Sequence, residues 1–259
     1  MERDETPRVN GHEVAVVFLH SGCNMNCGFC VTDDAVASMT FEQAVAVQDY
    51  ILAERSIRNL VLGGGEPFTW PHDVVALARK AKEAGFFVQV GTNGVALPED
   101  FERIDSIDRY VLPLESMDPA VHDAMRPYRG SHQAVVMGRL ARLRHAGIST
   151  TVSTVVTAEN IGGLGGIAAF LQDYCAAGGA LHAWHLYRFI PEGRGGRPNA
   201  GRYGVTAAAY HEATNRVREM DAGFTILKRP DMYHSRSVDF FWYQQGRICA
   251  GSEVWAKQG

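Results

Sequence analysis

The 259 residues are 46% hydrophobic and 21% charged, with a net charge of −4, an ordinary globular composition with length enough for one large α/β domain. The slight acidity disfavours a nucleic-acid partner, which asks for a basic face, and no apolar run approaches the roughly 18 residues that a membrane span requires. Five cysteines, an odd number, and an N-terminal stretch without an apolar export signal argue against a disulfide framework, so a reducing cytoplasm is the expected setting.

Residues 1–12 are polar and read as a loose lead-in. Over residues 13–220, short β-branched runs alternate with amphipathic stretches about six times, the pattern of βα units on a parallel sheet. The expected strands are Val14–Leu19, Asn59–Leu62, Phe86–Val90, Arg109–Leu114, Thr150–Val156 and His182–Ile190.

After the first strand comes His20-Ser-Gly-Cys-Asn-Met-Asn-Cys-Gly-Phe-Cys30, with Cys23, Cys27 and Cys30 at C-x3-C-x2-C spacing. Three thiolates from one loop can hold a soft metal centre. A [4Fe-4S] cluster held this way keeps one iron without a protein ligand, and an open shell marks chemistry where a closed one marks structure. A zinc site completed by His20 is the alternative.

Thr40-Phe-Glu-Gln43 is a capping box for the next helix. Gly63-Gly64-Gly65 can let backbone approach a ligand or simply make a turn. Glu66 can meet an ammonium group or cap a helix, and Thr92-Asn93-Gly94 can be a ligand contact or a turn. Gly85 and Gly147 fall where helices should stop. Glu115 and Ser116 follow strand four, and Ser153 is an inward polar candidate on strand five. On strand six, alternation turns one of Tyr187 and Arg188 inward, and an inward Arg188 would want an anion. Gly193–Arg197 reads as a flexible lid or connector, and Cys175 as a helix-core thiol. Beyond a helix around Val205–Met220, residues 221–259 form a C-terminal extension. In it Ser237–Gly246 is a strand and turn, followed by Cys249 in a Gly-flanked polar segment.

Three features occur in order. They are the cysteine spacing with Phe29 before Cys30, Gly64-Gly65-Glu66-Pro67 after strand two, and Gly91-Thr-Asn-Gly94 after strand three. Together they resemble the radical S-adenosylmethionine (radical SAM) superfamily. The resemblance implies an α/β fold, a partial (β/α)6 TIM-like barrel, with function at the C-terminal ends of the strands. It implies one [4Fe-4S] cluster on Cys23, Cys27 and Cys30, and SAM chelating the open iron. SAM contacts would come from Phe29, Gly64, Gly65, Glu66, Thr92, Asn93, Glu115, Ser116, Ser153 and Arg188. An electron donor such as flavodoxin or ferredoxin would reduce the cluster, and SAM cleavage would yield a 5'-deoxyadenosyl radical.

The lone C-terminal Cys249 resembles the hydrogen donor of radical SAM epimerases that act on aminoglycosides in antibiotic biosynthesis. Asp33, Asp34, Glu115, Asp118 and Glu192 would then receive the ammonium groups of a polycationic sugar. Two alternatives stand beside this one. A viperin-like nucleotide dehydratase would gather Arg188, Arg194 and Arg197 on a triphosphate. A non-catalytic iron–sulfur carrier would leave the Gly64–Pro67 and Thr92-Asn93 motifs without purpose.

Overall fold

The computed structural model describes residues 12–34, 37–220 and 222–255, so the lead-in at residues 1–12 lies outside the described residues except for His12. In chain order the elements are β1 (Val14–Phe18), α1 (Phe41–Tyr50), β2 (Asn59–Gly63), α2 (Val74–Glu83), β3 (Phe87–Gly91), β4 (Arg109–Pro113), α3 (Pro119–Met125) and α4 (His132–Ala146). There follow β5 (Ser149–Val156), α5 (Leu164–Ala176), β6 (Leu181–Arg188), α6 (Gly193–Gly196), α7 (Ala200–Tyr203), α8 (Ala207–Glu219), β7 (Ile226–Arg229), β8 (Val238–Gln244), β9 (Arg247–Ala250) and α9 (Gly251–Trp255). All six expected strands are present within a residue or two. The capping box also forms: the Thr40 hydroxyl accepts from Gln43 N, and the Gln43 side chain accepts from Thr40 N. Gly147 ends α4 at φ 68°, a left-handed conformation that glycine takes without strain.

The strands make one sheet in the order β7-β6-β5-β4-β3-β2-β1-β8-β9. Every pairing is parallel except that of β8 with β9. This mostly parallel α/β sheet is of the partial-barrel class. Two features go beyond the expected six units. The β3–β4 crossover carries only a short 3₁₀ turn, Phe101–Arg103. The C-terminal extension also adds no separate layer, since β7 pairs with β6 and β8 with β1. Capping both flanks of the six-strand sheet occupies backbone groups that a bare edge would leave open.

Strand alternation divides the side chains into two sets. Ala15, Val17, Leu60, Leu62, Val88, Val90, Leu112 and Val152 are fully buried, in one core with Val47 of α1 and Leu77 of α2. Val16, Val61, Gly63 and Gly91 lie on the other face: a Cβ on Gly63 would sit 3.6 Å from Val16 Cγ1, and one on Gly91 3.8 Å from Val61 Cγ1. That second face is the inner one. On β8, Phe240 is in register with Val16 and its ring centroid is 5.8 Å from that of Phe18, so Phe240 and Trp242 face inward as well.

Candidate active site at the cysteine loop

The cysteine loop leaves β1 and is held from three sides. First, it is stitched to the end of β2: Gly65 N donates to His20 O at 2.7 Å, Glu66 N donates to Gly22 O at 2.8 Å, and His20 Nε2 donates to Glu66 O at 2.9 Å. Second, α6 packs directly on it, with Gly195 N donating to Cys30 O at 3.0 Å. A Cβ on Gly195 would lie 2.3 Å from Cys27 O, so only glycine allows this approach. The segment expected as a flexible connector is therefore a buried clamp. Third, Gly28 N donates to Met125 O at 3.1 Å, which ties the loop to α3.

The three thiols are free and each is half-buried. Burial raises the pKa of Cys23 and pushes Cys27 up to about 11, against the pull of the Arg126 guanidinium, so loading a metal centre must displace protons. His20, the candidate fourth zinc ligand, spends Nε2 on the Glu66 carbonyl. Among the described residues no group of His, Cys, Asp and Glu converges on a single ion. Among the described residues the donor set is three thiols without a fourth protein ligand grouped with them, which suits a cluster that keeps one iron open.

A family model, the Radical SAM superfamily, matches residues 17–171. This chain belongs to the radical SAM superfamily. It is 37% identical over 94 residues to a putative glycyl-radical enzyme activating enzyme of Methanocaldococcus jannaschii, covering 35% of this chain and 37% of that protein. It is also 27% identical over 153 residues to PqqA peptide cyclase of Ruegeria pomeroyi, covering 54% of this chain and 38% of that one. Among solved structures it resembles SuiB of Streptococcus suis, with a TM-score of 0.70 and 13% identity over 92% of this chain and 60% of SuiB. The chain thus spans well under half the length of these two curated relatives. At 13% identity, SuiB supports the fold alone.

Radical SAM enzymes use a [4Fe-4S] cluster together with SAM, and SuiB has been solved with SAM bound. Around the loop of this radical SAM chain, the Glu66 carboxylate is fully buried. It accepts from Thr92 Oγ1 and Asn93 N, both at 2.7 Å, and from Phe68 N at 3.2 Å. It braces the ends of β2 and β3 against each other. Asn93 Nδ2 donates to Asn24 Oδ1 at 2.7 Å and lies 3.6 Å from Cys23 Sγ, so the turn after β3 touches the cysteine loop. Gly64, at φ 121°, stands against the His20 backbone at the same crossing. Phe29 is buried with Met125, Phe189 and Tyr203. Ser116 is buried and its Oγ accepts from Asp118 N. Ser153 falls on the inner face in register with His185.

Arg188 does not face inward. It shares the outer face with Trp184 and Leu186, both fully buried in the helix-side core, because alternate residues of one strand share a face. Tyr187 is the inward member of the pair, its Oη 3.0 Å from His185 Nδ1. The carboxylates expected to receive ammonium groups are all engaged within the protein. Glu115 pairs with Arg126 at 2.7 Å, Asp34 with Arg194 at 3.1 Å, and Asp33 and Glu192 with Arg197 at 3.6 and 3.1 Å, while Asp118 caps α3 through Ala120 N. Arg194 and Arg197 carry these ion pairs while Arg188 lies on the outer face, so the three arginines of the dehydratase reading do not share one face.

Three residues essential to this geometry carry no motif. Arg126, just past α3, binds Glu115, lies 3.6 Å from Cys27 Sγ and stacks over the Phe29 ring at 4.9 Å. His122 and His132 are fully buried. Glu115 N donates to His122 Nδ1 at 3.1 Å, which leaves His122 Nε2–H to donate to His132 Nδ1 at 2.8 Å. His132 Nε2–H then donates to Asn93 O at 2.9 Å. This relay of neutral rings joins the end of β4 to the turn after β3. His122 and Arg126 are four residues apart, a helical spacing visible in the sequence, but their partners are not.

Burial, with Arg126 adding to it, pushes His122 down to about 2 and His132 down to about 4. Both rings stay neutral in the fold and take up protons once the chain unfolds. Their contribution is complete above the ordinary value of 6.5 and is lost as pH falls from there toward the folded values. Unfolding free energy from urea titrations should drop by about 1.4 kcal/mol per pH unit for each ring below that point. The slope should be shallower in His132→Gln. Equal stability at pH 7 and pH 5 would refute the neutral relay.

Cys249 lies on β9 opposite Trp242 and is buried, 7% exposed. Directly opposed residues of an antiparallel pair share a face, so its backbone position is on the inner face with Trp242 and Phe240. In register, Trp242 stands one residue beyond the Phe241–Val17 pair, level with the end of β1 where the cysteine loop begins. Cys175, on α5, packs half-buried against the outer core. An open cleft of about 830 Å³ borders the cysteine loop, lined by Cys23, Asn24, Met25, Asn26, Val95, Pro127, Tyr128 and Arg129.

Proposed function

We propose that this radical SAM enzyme is an epimerase in which Cys249 returns a hydrogen atom to a substrate carbon. The observation that carries the reading is the inner-face register of Cys249 at the height of the cysteine loop. When bound, the cluster and SAM supply the oxidant that removes a hydrogen atom from one face of that carbon. The Cys249 S–H bond breaks and a new C–H bond forms on the opposite face. The sulfur radical left behind takes one electron and one proton, from the reductant and solvent, to restore the thiol. Burial of Cys249 protects it from solution oxidants. Gly64, Gly65, Thr92, Asn93 and Ser153 are the proposed SAM contacts, flavodoxin or ferredoxin the proposed reductant, and the cytoplasm the proposed setting. Among the described residues no helix is long and apolar enough to cross a membrane.

The substrate is less constrained. An aminosugar follows from the resemblance of Cys249 to epimerase donors, although the carboxylates expected to receive it are ion-paired or capping within the protein. A peptide is the second reading, favoured by the likeness to PqqA peptide cyclase.

The test is anaerobic turnover with SAM and reductant in deuterated water, offering neomycin-type aminoglycosides and peptides separately. The expected product is inverted at one carbon and carries one deuterium. Cys249→Ala should still form 5'-deoxyadenosine on substrate addition while losing the inverted product. Full inversion by this variant would remove Cys249 from the mechanism, and turnover of a peptide alone would favour the second reading.

A further inference from the structure

Two guanidiniums from distant parts of the chain flank the cysteine loop. Arg126 Nη1 lies 3.6 Å from Cys27 Sγ. It is held there by its 2.7 Å bond from Nε to Glu115, whose other oxygen accepts from Val155 N at 2.7 Å, and by the Phe29 ring beneath it. Arg194, from α6, donates through Nη1 to Ser21 O at 2.8 Å and pairs with Asp34, an exposed and solvent-screened partner. Its Nε is buried without an acceptor, and its backbone is pinned on the last cysteine of the loop, with Arg194 N donating to Thr32 O at 3.1 Å and Gly195 N to Cys30 O at 3.0 Å. One guanidinium therefore stands at Cys27 and a second at the start and end of the same loop.

We propose that Arg126 and Arg194 set the reduction potential of the cluster held by Cys23, Cys27 and Cys30, with Glu115 as the residue that positions Arg126. Accepting one electron adds one negative charge, which nearby cations and hydrogen bonds to sulfur favour. The pair thus eases a reduction that every turnover requires. The inference depends on the cluster and holds whichever substrate the enzyme takes.

The test is a redox titration of the reconstituted full-length protein, with neither SAM nor substrate, followed by electron paramagnetic resonance of the reduced cluster. Iron and sulfide are counted in each variant. Arg126→Gln and Arg194→Gln should each lower the ratio of reduced to oxidised cluster at a fixed poise by roughly tenfold, a shift of about 59 mV to more negative potential. Arg126→Lys, which keeps the charge, should stay near wild type. Glu115→Gln keeps an amide oxygen to accept from Arg126 Nε and so to hold it in place, but removes the compensating anion, and should shift the other way. Arg142→Gln, whose partner is Glu102, should change nothing. Fully loaded Gln variants that titrate like wild type overturn the proposal, as does an equal fall in Arg126→Lys. If the Gln variants fail to load, Glu115→Gln decides, and no positive shift there also overturns it.

Discussion

Cys27→Ala should load little iron and form no 5'-deoxyadenosine. Two thiols cannot hold a cuboidal cluster that needs three, and among the described residues there is no neighbouring His, Asp or Glu grouped with them to stand in. Cys27 also lies 3.6 Å from Arg126, so its loss removes the ligand on the side of the loop that faces that guanidinium. The fold itself should survive, because the backbone contacts of the loop do not involve the side chain: Cys27 O still accepts from Cys30 N at 3.1 Å. Removing one half-buried thiol should cost on the order of 1 kcal/mol. Iron and sulfide analysis, chromatography of SAM products and urea unfolding separate these effects. Cys175→Ala is the control and should load like wild type. SAM cleavage retained in Cys27→Ala would overturn the reading of the loop.

Gly65→Ala should be more damaging than any other single methyl group added near the site. An added Cβ would lie 1.8 Å from Gly22 O and 2.7 Å from Ser21 O, both backbone atoms that cannot swing away as a side chain would. The crossing is pinned on both sides by the bonds from Gly65 N to His20 O and from Glu66 N to Gly22 O. Relief of the clash must therefore break one of these bonds or displace the cysteine loop. A loss of about 3 kcal/mol or more is expected, together with failure to load the cluster. Gly201→Ala on α7 meets nothing within 4 Å and should stay within about 0.5 kcal/mol of wild type. A Gly65→Ala protein as stable and as fully loaded as wild type would show that this crossing does not hold the loop.

The local chemistry of this chain was legible without coordinates. The C-x3-C-x2-C spacing, the glycine run after the second strand and the alternation of βα units all lie within short windows, where the geometry of one turn or one strand relates residue type to role. Six strands, one helix cap and the three-thiol loop follow from them. β7 was missed because Ile226–Arg229 is four residues long and wholly half-buried, with no alternation to mark it.

Several roles were decided only by the tertiary structure. Tyr187 and Arg188 are interchangeable in a periodicity argument. The outer face falls to Arg188 because Trp184 and Leu186 fill the helix-side core. Gly193–Gly196 has the composition of a mobile linker, yet it is buried on the cysteine loop. Arg126 reaches Cys27 across 99 positions and Arg194 reaches Ser21 across 173, and no window of the chain contains both partners. The inner-face place of Cys249 depends on β8 pairing with β1 and β9 folding back on β8. Spacing along a chain sets which residues one loop or one face can offer, whereas cross-strand register and packing set which of them meet. The sequence by itself therefore determined the cysteine motif and the α/β class of this radical SAM protein. Its charge environment and the inner-face place of Cys249 were decided by long-range pairing.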